Sequence, residues 1–158
     1  MKPSWLTIAE SYIGTKEISG PKHNPTITNF WKRIKLSGIS NDEVPWCAAF
    51  VGSVLTEANL SSTHSGLAKS YLTYGTPTTP SLGCIVVFTR KGGGHVGFLV
   101  GKNKSNDIYV LGGNQSDAVN IKLFKTTNVV GYRWPDSKEK QYALPILATI
   151  TEYETRVT

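Results

Sequence analysis

A cysteine at residue 47 has the surroundings of a catalytic nucleophile. It lies in the segment 45–51, Pro-Trp-Cys-Ala-Ala-Phe-Val, at the predicted first turn of an apolar helix. The free backbone amides and the dipole at that end of a helix stabilise a thiolate, the nucleophilic form of cysteine. The segment also fits a buried structural cysteine, so Cys47 by itself leaves both interpretations open.

Two later residues could supply the other groups that a nucleophile needs. His95 opens a predicted strand after a run of glycines, where its imidazole could take the proton of the Cys47 thiol. Asn114 follows the strand expected to pair with that of His95, so its amide could orient the imidazole. Taken singly, His95 also fits a surface histidine and Asn114 a turn asparagine. The alternative orienting residue is Gln115.

The first half of the chain has the hydrophobic period of helices. Predicted helices cover about 4–13, with Ser4 as cap, about 25–36, about 46–58 and, for a short one, 65–71. Asn24 and Pro25 form a cap followed by a proline at the first helical position. Gly38 is expected to close the second helix, and residues 41–45 to form a polar loop. The third helix is apolar around much of its girth, which predicts a buried central helix.

After residue 80 the pattern changes to short β-branched runs with turns between them. Five strands are predicted at 84–89, 95–100, 108–111, 119–124 and 129–134. Helices followed by an antiparallel meander predict an α+β fold in one domain, covering residues 1–135. Residues 136–158 form a C-terminal extension to which the sequence assigns no structure.

Composition narrows the classes of partner and cofactor. The chain has 158 residues and a net charge of +6, which favours anionic partners, but its basic residues form no nucleic-acid patch. Cys47 and Cys84 allow one disulfide at most, and no His or Cys spacing indicates a metal site, so we expect neither metal nor cofactor. No secretory h-region and no run of ~18 apolar residues is present, so we expect synthesis in the cytoplasm and no stable membrane association.

Taken together and in order, these motifs resemble the NlpC/P60 and CHAP superfamily of papain-like cell-wall hydrolases, in particular its phage endolysin branch. The resemblance rests on Trp-Cys-Ala-Ala-Phe-Val at 46–51, Gly-x-Ile-Val-Val-Phe at 83–88, Gly-His-Val-Gly-Phe at 94–98 and Gly-Gly-Asn-Gln at 112–115. An early Lys-Glu-Ile-x-Gly stretch at 16–20 also matches, with no role that the sequence reveals. Cys84 replaces the usual aspartate and is expected to be a small apolar residue in a buried strand.

The resemblance implies a papain-like fold, with helices on a five-stranded antiparallel sheet, and hydrolysis of peptidoglycan amide bonds. It implies Cys47 as nucleophile and His95 as general base. Gly112 occupies one position where relatives carry the residue that orients the histidine, so the resemblance assigns the orienting role to Asn114. Trp46 and Gln115 are candidate substrate contacts, although Trp46 fits a core tryptophan equally well.

The expected protein is a monomer that acts on peptidoglycan in the periplasm or cell wall, either as an endopeptidase or as an N-acetylmuramoyl-L-alanine amidase. A phage endolysin released through a holin is the first expectation, and an injected antibacterial effector the second. The rivals are a non-catalytic wall-binding module and a cysteine protease or acyltransferase with another substrate.

Overall fold

The computed structural model describes residues 1–19, 23–36 and 45–157. The helices are α1 (Ser4–Ser11), α2 (Pro25–Arg33), α3 (Cys47–Glu57), a 3₁₀ helix (Ala68–Thr73) and α4 (Ile150–Val157). Asn24 caps α2 as predicted, accepting a hydrogen bond from the Thr26 amide at 2.9 Å. Ser4 is instead the first residue of α1, and Pro3 is its cap. The stop predicted at Gly38 and the loop predicted at 41–45, apart from Pro45, lie outside the described residues.

The strands form a single antiparallel sheet on which the helices lie. They are β1 (Thr76–Pro77), β2 (Ile85–Arg90), β3 (Gly93–Lys102), β4 (Ile108–Gly112), β5 (Asn120–Phe124) and β6 (Val129–Trp134), in the spatial order β1-β6-β2-β3-β4-β5. The α+β class is confirmed, but the expected count of five strands is corrected to six in the described part of the chain. The additional strand, β1, has two residues and forms an edge, where a proline is tolerated and no period-two pattern can develop.

Helix α3 is the centre of the core, as its apolar girth predicted. Every residue from Cys47 to Leu55 is buried. Its Phe50 ring lies 5.4 Å from the ring of Phe30 in α2 and 6.2 Å from that of Phe98 in β3. This packing on both sides holds the start of α3 against the middle of the sheet, where β3 lies.

The segment after residue 135 packs along the same domain. Its contacts are hydrogen bonds from the Ser4 hydroxyl to Glu139, from the Leu82 amide to the Tyr142 carbonyl, from the Leu147 amide to the Lys102 carbonyl, and from the Tyr153 hydroxyl to Glu10. Leu147 and Tyr153 are buried. The extension therefore covers α1 and the far end of β3. None of the described helices is long and apolar enough to cross a membrane.

Candidate active site

The structure brings Cys47 and His95 to one groove. Cys47 is the first residue of α3, where the helix leaves its initial backbone amides unpaired, and its side chain is almost buried at 7% exposure. His95 lies near the start of β3 and is 2% exposed. Both line a groove of about 390 Å³, together with Asn114, Arg90 and Lys91 as its other polar or charged residues. The main-chain amide that follows His95, that of Val96, acts on the Cys47 thiol and lowers its pKa.

Two phenylalanine rings enclose the imidazole of His95. Phe88, its partner across β2 and β3, lies 5.8 Å away between ring centroids, and Phe124 on β5 lies 5.6 Å away. These contacts restrict rotation of the imidazole and exclude water from its flanks. The enclosure follows from the sheet, because β5 reaches the His95 region only through its pairing with β4.

Gln115 is the side chain that hydrogen-bonds to His95. Its Oε1 lies 2.9 Å from His95 Nε2, and its own Nε2 donates to the carbonyl oxygens of Val110 (3.1 Å) and Asn120 (2.9 Å) and to Asn120 Oδ1 (3.0 Å). Since the amide nitrogen faces acceptors only, the oxygen must face the imidazole. His95 Nε2 therefore carries a proton, and Nδ1 is the unprotonated nitrogen of the neutral ring.

The expectation that Asn114 orients His95 is corrected by this geometry. Asn114 lines the groove, but its backbone has a left-handed φ of 58°, a conformation that asparagine tolerates well. The turn sends the next side chain, that of Gln115, back beneath the sheet, where it is 3% exposed. Gln115 is thus buried behind the imidazole, and the expectation that it contacts substrate is also corrected.

Gly112 leaves the space that Gln115 fills. A Cβ built on Gly112 would lie 2.5 Å from Gln115 Oε1 and 3.3 Å from His95 Nε2. The family resemblance indicated that Gly112 occupies a position where relatives carry the residue that orients the histidine. In this chain the partner of the imidazole comes instead from the following turn.

Trp46 is a core residue, so its proposed contact with substrate is corrected. Its side chain is fully buried, and its indole Nε1 donates a 2.7 Å hydrogen bond to Glu17 Oε1. Glu17 belongs to the early stretch for which the sequence revealed no role. Its backbone amide donates to the Asp117 carbonyl at 2.9 Å, just beyond the Gln115 turn. Glu17 therefore joins the start of α3 to the turn that carries Gln115.

Burial has the largest effect on the ionisation of both Cys47 and His95. It raises the pKa of the Cys47 thiol, against hydrogen bonds from the Val96 and Ala48 amides that lower it. It lowers the pKa of His95 to about 4, against the smaller opposing effect of the Gln115 hydrogen bond. The expectation of a thiolate stabilised by the helix start is corrected for the resting site, because desolvation outweighs the amides. At neutral pH the site holds a thiol and a neutral imidazole.

The second cysteine is structural. Cys84 is fully buried, and burial raises the pKa of its thiol to about 11, so the prediction of a small apolar residue is confirmed. Both cysteines are free thiols. Among the described residues, no group of three or more His, Cys, Asp or Glu side chains could hold a metal ion.

Comparison with known proteins identifies one family. Residues 39–114 match the CHAP domain, a stretch that contains Cys47, His95 and Asn114. CHAP domains are typically cysteine- and histidine-dependent peptidases or amidases that act on peptidoglycan. The match confirms the resemblance to the NlpC/P60 and CHAP superfamily. It does not identify the phage endolysin branch. A search of curated proteins found no match to the chain.

Proposed function

With residues 39–114 as a CHAP domain, we propose that this protein hydrolyses amide bonds of bacterial peptidoglycan, with Cys47 as nucleophile. The observation that carries the proposal is the shared groove, in which the Cys47 thiol and the His95 imidazole lie together at a helix start. A purely structural cysteine needs neither a groove nor a buried histidine with a defined tautomer. Cys84, buried in the core, is such a structural cysteine.

His95 acts as the general base through Nδ1. The hydrogen bond to Gln115 occupies Nε2 and keeps its proton there, which leaves Nδ1 to take the proton of the thiol. A depressed pKa keeps the imidazole neutral, and therefore basic, at neutral pH. Gln115 is a positioning residue in this scheme, since it acts through His95 and lies away from the groove.

The reaction proceeds by acyl transfer. The Cys47 proton moves to His95 Nδ1 as the sulfur attacks the amide carbonyl carbon, and the carbonyl oxygen becomes an oxyanion. The free amides at the start of α3, including that of Cys47, stabilise this oxyanion. The C–N bond then breaks, and the departing amine takes the proton from Nδ1. Water, deprotonated by His95, attacks the thioester and releases a carboxylic acid and the thiol.

The bond that is cut lies either between muramic acid and L-alanine or within the stem peptide and its cross-link. The resemblance favours a phage endolysin as the biological setting, with an injected antibacterial effector as the alternative. Both settings use the same chemistry, and the products of one digestion distinguish the amidase from the endopeptidase.

The test is mass analysis of products from purified peptidoglycan. We expect new amine and carboxylate ends with the wild-type protein and none with Cys47→Ala, while Cys84→Ala, the matched control, retains activity. Circular dichroism should show that both variants are folded. Full activity of a folded Cys47→Ala protein would exclude the thiol mechanism. Binding to sacculi without any cleavage by the wild type would favour the wall-binding module.

A further inference from the structure

Among the described residues that line the groove beside Cys47, the two charged side chains, Arg90 and Lys91, are both cations. Arg90, the last residue of β2, and Lys91 line the groove and are exposed. The described residues that line it include no Asp or Glu. None of the ion pairs that the structure records in its described part involves either side chain. Two neighbouring unpaired cations repel each other, so an anion in the groove would relieve that repulsion.

Aromatic packing holds the Arg90 guanidinium close to the reacting groups. Its central carbon lies 6.0 Å from the centroid of the Phe124 ring, within the range of a cation–π contact. Phe124 is one of the two rings that enclose His95. Lys122 approaches the same ring, with Nζ 5.9 Å from its centroid. The ring of Phe124 therefore lies near both the guanidinium and the imidazole.

The charge of Arg90 also reaches both members of the proposed pair. It lowers the pKa of the Cys47 thiol and that of His95, in each case as a smaller effect than burial. An anion bound at Arg90 would therefore lie within electrostatic range of the bond that is cut. Arginine offers two parallel N–H donors that match the geometry of a carboxylate.

We propose that Arg90, assisted by Lys91, forms a subsite for a carboxylate of the peptidoglycan stem peptide next to the scissile amide. The proposal rests on the hydrolase function proposed above and names the feature of the substrate that the groove selects. Stem peptides offer such a group at the α-carboxyl of D-glutamate, at the diamino acid in some walls, and at the terminal D-alanine. These sources share one chemistry and differ in their distance from the bond that is cut.

The test compares synthetic muramoyl peptides that carry each of these carboxylates free or as its carboxamide. Binding is measured by calorimetry in a Cys47→Ala background, where no peptide is consumed. We expect the free carboxylate to bind roughly tenfold or more tightly than the amide at one position only, which identifies the group bound. Addition of Arg90→Gln should reduce that ratio to near one, and Arg90→Lys should retain part of it. Lys104→Gln, which removes the same charge at the exposed β3–β4 turn, should leave the ratio unchanged.

The subsite would be excluded if the free and the amidated member of every peptide pair bound equally well. It would also be excluded if the ratio of their affinities were unchanged by Arg90→Gln. The comparison of free and amidated peptides in the Cys47→Ala protein needs no Arg90 variant, so a misfolded variant leaves the test intact. Kinetics with the same peptides separate the two proposals. Cleavage of free and amidated peptides at equal rates would retain the hydrolase and exclude the subsite. Absence of cleavage of every peptide and of whole sacculi, with the binding preference present, would exclude the hydrolase and retain Arg90 only as a carboxylate-binding residue.

Discussion

At the scale of single residues, the site depends on which nitrogen of His95 is free. The amide of Gln115 settles this, because its NH₂ group is bound to Val110 and Asn120 and only its oxygen can face the ring. An uncharged acceptor orients the imidazole without strongly favouring the imidazolium, in agreement with the low pKa of His95. The proposed catalytic pair therefore works from a neutral resting state.

Gln115→Ala should reduce kcat by on the order of tenfold to a thousandfold with little change in KM, because the unheld imidazole can adopt the wrong tautomer. Asn114→Gly, the neighbouring control, removes the Asn114 amide but keeps the left-handed turn, so it should have a much smaller effect on kcat. Steady-state kinetics on a soluble muramoyl peptide measure both constants, and nitrogen-15 NMR of His95 reports the tautomer. A larger loss of kcat in Asn114→Gly than in Gln115→Ala would return the orienting role to Asn114.

Gly112→Ala should cost about as much activity as Gln115→Ala, because the new Cβ would collide with Gln115 Oε1 at 2.5 Å and displace it. The two changes affect one contact, so the double variant should be no worse than either single variant. Gly131→Ala is the matched control, since a Cβ there meets only Leu72 at an ordinary 3.7 Å. Additive losses in the double variant would show that Gly112 acts by some route other than Gln115.

At the scale of elements, the site is assembled where α3 meets the sheet and the Gln115 turn. Three main-chain hydrogen bonds join residues 14–17 to residues 117–119, and the Glu17 carboxylate then holds the indole of Trp46 at the start of α3. A Cβ on Gly113 would collide with that same indole at 2.7 Å. Cys47 and the turn behind His95 are thus fixed through one buried ring, that of Trp46.

Glu17→Ala should destabilise the fold by about 1 to 3 kcal/mol, because it leaves the buried Trp46 N–H without its acceptor. Glu17→Gln is the control, since its amide oxygen can still accept the hydrogen bond. Urea unfolding gives the free energies, and kcat measured well below the unfolding midpoint reports any displacement of α3. Equal stability of Glu17→Ala and the wild type would mean that this hydrogen bond does not support the start of α3.

At the scale of the whole molecule, net charge and burial act together on stability. The chain carries +6, and the cations Arg90 and Lys122 act on His95 from β2 and β5, while the neighbouring thiol of Cys47 is neutral. Protonation of His95 would add a buried positive charge to an already positive region. Acid should therefore oppose the native state through this residue.

Between its folded pKa of about 4 and its unfolded pKa of 6.5, His95 binds a proton only in the unfolded chain. Its contribution to stability is therefore complete above pH 6.5 and is lost as the pH falls towards 4, by about 3 kcal/mol. Urea unfolding at pH 7 and pH 4.5 should give a larger decrease for the wild type than for His95→Gln. The same decrease in both proteins would show that other groups cause the acid sensitivity.

Local sequence patterns were enough to predict several elements of the fold. The Asn24 cap, the apolar girth of α3 and the β-branched runs depend on neighbours within a few residues, and each produced the predicted element. The positions of Cys47 at a helix start and His95 near a strand start were also readable from turn residues beside them. These features are local because capping, helical period and strand period are properties of short segments.

Which side chains meet depends on the packing of the complete fold. Asn114 and Gln115 are adjacent in the chain, and the left-handed turn at Asn114 selects Gln115 as the partner of His95. The sequence fitted Trp46 equally well to a groove and to the core. In the structure it lies in the core, where Glu17, 29 residues away, accepts a hydrogen bond from its indole N–H. The sequence reading missed α4 at the end of the chain, and the segment before it is placed by hydrogen bonds to distant elements, which leave no period in the sequence. The neutral state of the Cys47–His95 pair likewise arises from burial, a property of the whole fold that no short segment contains.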